Sequence, residues 1–159
     1  MPIMTPAVQA AQRAKIAFTL HEYAHDAAAE SFGLEAAAAL HVDPLQIFKT
    51  LIAQTEDAGL AIGIVPVAAR LNLKALATAV GAKKADLADP AIAQRATGYV
   101  VGGISPLGTR KRLPTVLDQS ALSFPTIYVS AGRRGLQIQL SPQDLIRLTR
   151  ATTAPIATA

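Results

Sequence analysis

The chain has 159 residues, of which 51% are hydrophobic and only 4% aromatic, with no cysteine and a formal net charge of +4. That length fits one domain burying roughly 70% of its unfolded surface, in a core that must be built from Ala, Leu, Ile and Val. The lack of cysteine excludes disulfides, thiolate metal sites and a cysteine nucleophile, and the surplus of cations favours a polyanionic partner.

Thr5-Pro6 pairs an N-cap with a proline at the first helical position, and Val8, Ala11 and Ala14 suit a short helix. Ile16, Phe18 and Leu20 then alternate with Ala17, Thr19 and His21, the period of a strand. From Ser31 the run Phe32 to Leu40 reads as a helix, broken by Gly33 and closed near Asp43-Pro44. Ile47 to Ile52 and Leu60 to Val67 are strand candidates expected to pair across a turn at Glu56-Asp57-Ala58-Gly59. Asn72 opens a helix through Val80 with Gly81 as its C-terminal glycine, and Asp89-Pro90 opens another that Gly98 closes. Thr115 to Asp118, Thr126 to Ser130 and Leu136 to Leu140 are short strands, and Ser141-Pro142 with Asp144 caps a last helix through Thr149. The small-residue tail from Ala151 is expected to fray. Ala58 to Ala69, the longest uncharged apolar run, is interrupted by Pro66 and falls short of the ~20 residues that span a bilayer. No apolar run of a secretory signal follows Arg13. The expectation is a soluble, cytoplasmic protein of mixed α/β class, one compact domain with a mixed, barrel-like sheet and helices packed outside.

Several motifs begin a known chemistry and do not complete it. His21-Glu22-Tyr23-Ala24-His25 matches H-E-x-x-H, which holds zinc only on a helix, where i and i+4 share a face. Here the preceding residues alternate as a strand, and Glu30 or Glu35 would have to be the third ligand. The zinc-hydrolase reading therefore stands behind that of strand-end histidines, and no metal is expected. Gly103 to Gly108 has P-loop spacing, but Thr109-Arg110 stands where lysine and a hydroxyl are required. Gly103-Ile104-Ser105-Pro106-Leu107 is half a nucleophile elbow, its second glycine replaced by Leu107, so Ser105 reads as a turn residue. His41, beside a helix end, reads as a capping or surface residue.

The stretch from Gly98 to Arg112 carries more. Tyr99-Val100-Val101 reads as a strand that runs into Gly102-Gly103 and, after Gly108, into Arg110-Lys111-Arg112. Paired glycines bring a main chain close to a ligand, and successive amides hold an anion or a polarised carbonyl. With Lys83-Lys84 and Arg133-Arg134, the basic run could line one phosphate backbone, by charge more than by base stacking. Lys49 is the outstanding single residue. As part of a strand it shares a face with Ile47 and Leu51, and an ammonium on an apolar surface must snorkel, find a partner or serve a ligand. Tyr23, Ser130 and Arg133-Arg134 are further candidates near strand ends.

Met4-Thr5-Pro6-Ala7-Val8, Phe48-Lys49-Thr50-Leu51, Ala82-Lys83-Lys84, Ala88-Asp89-Pro90, Ala93-Gln94-Arg95, Gly98 to Leu107, Lys111 to Thr115 and Ile127 to Leu136 together resemble the YbaK/EbsC family of aminoacyl-tRNA deacylases. The likeness runs in order from Met4 to about Leu148 and is greatest to the Cys-tRNA(Pro) deacylase branch. It implies trans-editing of mischarged tRNA, with prolyl-tRNA synthetase as a transient partner and neither DNA nor a membrane involved. Lys49 would be central, Gly102-Gly103 would hold the aminoacyl ester, and Tyr23, Thr50, Ile104, Ser105, Ser130 and Gln137 would line the substrate pocket. Lys83, Lys84, Arg110, Lys111, Arg112, Arg133 and Arg134 would meet tRNA. In that branch the substrate's own thiol attacks the ester carbonyl, and no cofactor is implied. Gln137 stands where the branch typically has an acidic residue, which opens the amino acid to alanine or another small residue. A tRNA-binding module without hydrolysis is the remaining alternative.

Overall fold

Polar caps set the helix ends. Thr5 Oγ1 accepts the Val8 N–H at 3.1 Å and starts α1 (Pro6–Arg13). Ser31, Asn72, Asp89 and Ser141 do the same for α2 (Phe32–Leu40), α3 (Leu73–Ala79), α4 (Pro90–Thr97) and α5 (Pro142–Thr149). The computed structural model describes residues 4–25 and 31–159. Contrary to the expected break, α2 runs through Gly33. A Cβ there would fall 2.4 Å from Val67 Cγ1, so the residue serves a close approach and the helix tolerates it. His41 ends α2 in the left-handed conformation.

The strands are β1 (Thr19–Glu22), β2 (Phe48–Thr55), β3 (Leu60–Pro66), β4 (Arg70–Leu71), β5 (Ala85–Leu87), β6 (Thr115–Asp118), β7 (Ile127–Ser130), β8 (Leu136–Leu140), β9 (Thr152–Ala154) and β10 (Ala157–Thr158). A five-stranded mixed sheet has the order β5-β2-β3-β6-β9, with β3, β6 and β9 parallel. An antiparallel three-stranded sheet has the order β1-β8-β7. They meet at a parallel bridge between Ile47 and Tyr128, where the Tyr128 N–H also donates to the Gln46 carbonyl at 3.2 Å. Phe48, Ile52, Ile62 and Leu117 of the larger sheet pack in one core with Val129, Leu136 and Ile138 of the smaller one. The expected barrel-like arrangement is thus two sheets folded around a shared interior and joined along the start of β2. Among the described residues no helix is long and apolar enough to cross a membrane.

The C-terminal tail does not fray. β9 pairs with β6 and β10 with β4, and Ile156 between them is fully buried. Asp118 makes the anchor: one carboxylate oxygen accepts the Ile156 and Ala157 N–H groups at 2.9 and 3.0 Å, the other accepts from the Ser120 amide and hydroxyl. Thr and Ala carry too weak a pattern to announce these strands, and a carboxylate 38 residues away supplies what the pattern lacks. Replacing Asp118 by Ala strands the buried Ile156 amide and the part-buried Ala157 amide of the tail. The expected result is a loss of roughly 3 kcal/mol in denaturant unfolding, with faster hydrogen exchange at residues 152–158 than elsewhere in the sheet; uniform exchange would show that the tail is held by other means.

Candidate active site

The joint between the sheets opens into a cavity of about 390 Å³, within the ~300–1,000 Å³ usual for ligand pockets. One wall is β2, from Ile47 through Lys49 and Thr50 to Ile52; facing residues are Ser130 of β7 and Gln137 of β8. Val101, Gly102 and Ile104 of the glycine loop line it, as do Phe32 at the start of α2 and Pro90 and Ala93 of α4.

Lys49 pairs with Val65 across the β2–β3 hairpin and is half-buried. Burial, with the Arg70 cation as the smaller cause, holds its ammonium below the usual lysine range. Among the described residues it has no carboxylate partner. Two buried side-chain oxygens in the described structure lack any hydrogen bond, Thr50 Oγ1 and Gln137 Oε1, and both belong to residues of the cavity wall. Unsatisfied buried groups are costly, and these two lie behind the cavity wall.

The other candidate residues divide. The Tyr23 hydroxyl is pushed above its ordinary pKa chiefly by burial, and the Gln137 side chain is among its hydrogen-bond partners, so it meets the wall through Gln137. Gly103 is buried with its N–H donated to the Val100 carbonyl at 2.9 Å, and it does not line the cavity. Ser105 is fully buried, and its hydroxyl accepts the Leu107 N–H at 3.2 Å, in the manner of a turn residue. Tyr99 to Val101 forms no strand. Tyr99 is buried and donates its hydroxyl to the Leu107 carbonyl at 2.6 Å, clamping both ends of the loop; burial pushes its pKa up to about 12.

Lys83, Lys84, Arg110, Lys111 and Arg112 are exposed. The amides of Arg110 and Lys111 bond the last carbonyls of α4, Thr97 and Ala96, which sets that run at the helix C-terminus. Arg133 and Arg134 lie in the β7–β8 turn and are exposed too, but their side chains are engaged: Arg133 pairs with Glu22 at 3.1 Å and Arg134 bonds the Val101 carbonyl. The zinc pattern does not assemble. His21 sits in β1 and bonds Gln139 Oε1 at 2.9 Å, His25 bonds Glu35 at 2.8 Å, and Glu30 lies outside the described residues.

A family model for the aminoacyl-tRNA editing domain matches residues 27–148. The chain belongs to that family. This editing domain is 34% identical to EbsC of Enterococcus faecalis, assigned as a Cys-tRNA(Pro)/Cys-tRNA(Cys) deacylase, over 97% of its own length and 93% of that protein's. A structure assigned as a trans-editing enzyme for prolyl-tRNA synthetase superposes with a TM-score of 0.80 at 26% identity, covering 99% of the editing domain and all of the other chain. The crystal structure of a hypothetical protein superposes at 0.86 with 27% identity, covering 97% and 100%. Sequence reading missed Phe32 and Leu87, two cavity residues of this editing domain, of which only the first carried a signal. Phe32 is an aromatic directly after a capping serine, and Leu87 is an apolar residue 58% exposed beside the cavity.

Proposed function

We propose that the chain is a trans-editing deacylase that hydrolyses the ester of Cys-tRNA(Pro), and of Cys-tRNA(Cys), in the cytoplasm and alongside prolyl-tRNA synthetase. The observation that carries this reading is the meeting of a half-buried Lys49 ammonium, without a carboxylate partner among the described residues, with Gly102 and Ser130 around one cavity. An aminoacyl ester is already activated, so holding and polarising its carbonyl supplies much of the rate. Lys49 is the group for that carbonyl or for the neighbouring terminal phosphate.

Among the described residues lining the cavity there is no histidine and no carboxylate, hence no side-chain base to activate a serine or a water. The substrate's thiol fills the role. Its sulfur attacks the ester carbon, the bond to the ribose oxygen breaks, that oxygen takes a proton, and the thiolactone released is hydrolysed by water. The exposed cations at Lys83-Lys84 and at the C-terminal end of α4 would neutralise acceptor-stem phosphates without reading sequence.

A deacylation panel with Cys-, Ser-, Ala- and Pro-tRNA(Pro), with and without prolyl-tRNA synthetase, tests this. Cysteine should be released at least ~10-fold faster than serine, its oxygen counterpart, because only a thiol is acidic enough near neutral pH. Equal rates on serine would remove the thiol from the mechanism. Preference for alanine would make Gln137 the mark of a different substrate, and tRNA binding with no release of any amino acid would leave a carrier module.

A further inference from the structure

One of the two exposed arginines at the β7–β8 hairpin holds the glycine loop. Arg134 donates from Nε at 3.0 Å and from Nη2 at 2.7 Å to the same Val101 carbonyl, and its Cζ lies 4.7 Å from the centroid of the Phe32 ring. Val101, Gly102 and Phe32 are all cavity residues. A Cβ on Gly102 would come within 2.9 Å of Arg134 Nε and 2.8 Å of Phe32 Cδ2, so guanidinium, ring and loop are in full contact. From the other side, the Val101 N–H donates to Gln94 Oε1 of α4 at 3.2 Å. Two side chains from separate elements thus fix both polar groups of the residue before Gly102.

We propose that Arg134 is a positioning residue for the deacylation, tying the loop that carries Gly102 to Phe32 at the start of α2. The proposal rests on the reading of this cavity as the ester site. A guanidinium suits the task because its planar fork places two N–H groups on one acceptor while its face lies against an aromatic ring. An ammonium cannot do both. Phe32 is steadied on its own side by the His25 ring, 5.6 Å away at a 37° tilt, and His25 in turn bonds Glu35. Without Arg134, the Gly102 backbone loses its set distance from the Lys49 wall, and a misplacement of ~1 Å at a reacting group costs up to ~10²-fold in rate.

Arg134→Lys and Arg134→Ala, measured under saturating single-turnover conditions with Cys-tRNA(Pro), separate this role from phosphate contact. Both variants should lose about 10-fold or more in the saturating rate, while the Kd for tRNA and its salt slope stay at the wild-type values. Amide exchange at residues 101–103, read without reference to turnover, should rise in both. A lysine variant with the wild-type rate, or an alanine variant with weaker and less salt-dependent tRNA binding at unchanged rate, would overturn the assignment and return Arg134 to the tRNA surface. Should the alanine variant not fold, the lysine variant carries the test alone. A wild-type protein that releases no amino acid would instead sink the functional reading, while the exchange measurement still reports whether the clasp exists.

Discussion

Lys49→Met should lower the deacylation rate by at least ~10²-fold, the scale set by removing one donor to a developing oxyanion, and should leave the fold intact. The side chain is half-buried beside Arg70 and has no carboxylate partner among the described residues, so its charge opposes folding and its loss costs no ion pair among them. A melting temperature equal to or above that of wild type, with activity gone, is the expected pattern; retained turnover would remove Lys49 from the chemistry. The pH dependence follows from the same burial. The folded protein releases the Lys49 proton below the ordinary 10.5 that the unfolded chain keeps. Between those two values the unfolded state binds more protons, so stability from this group rises with pH; below both, the native state bears the full cost of the buried charge. For catalysis the direction reverses, because the charged form is the useful one. After subtraction of spontaneous ester hydrolysis, the rate should fall on an alkaline limb centred below 10.5, and Lys49→Arg, whatever its absolute rate, should abolish that limb.

Gly103→Ala separates two reasons for a bare backbone. Its added Cβ would lie 2.8 Å from Arg133 Cα, 2.9 Å from the Arg133 carbonyl carbon and 2.9 Å from the Arg134 nitrogen. All three are main-chain atoms of the β7–β8 turn, so relief requires the loop or the hairpin to move, at a cost of about 2 to 3 kcal/mol. The expected result is a lower denaturation midpoint at unchanged m-value, together with slower turnover. A variant as stable as wild type that had lost only activity would show instead that the space belongs to the substrate.

That contrast locates what the sequence made legible and what it did not. Helix starts were readable because a cap is local: Thr5, Ser31, Asn72, Asp89 and Ser141 each act within three residues. The β2–β3 hairpin was readable because two apolar runs flank a turn. Lys49 stood out because a cation in such a run conflicts with its neighbours, and that conflict persists in the structure. Gly102-Gly103 is legible as a close approach, but what approaches is not: the room a Cβ would take at Gly103 is filled by the Arg133-Arg134 backbone, and at Gly102 by Phe32 and Arg134, 70 and 32 residues away in the chain. The charge of Arg133 and Arg134 is visible in the sequence and both are exposed, whereas their bonds to Glu22 and to the Val101 carbonyl are not readable from it. The short strands β4, β5, β9 and β10 have no period of their own; pairing partners define them.

The seam at Ile47 and Tyr128 has a bearing on how this pocket can change over time. Lys49 and Thr50 come from one sheet, whereas Ser130 and Gln137 come from the other, and the two sheets touch there through a bridge and few backbone bonds. Exchanges at 130 or 137 change the cavity wall while the ladder that presents the ammonium keeps its register. The ammonium and the polar side chains opposite it are thus carried on separable panels, and each can be exchanged without disturbing the pairing of the other.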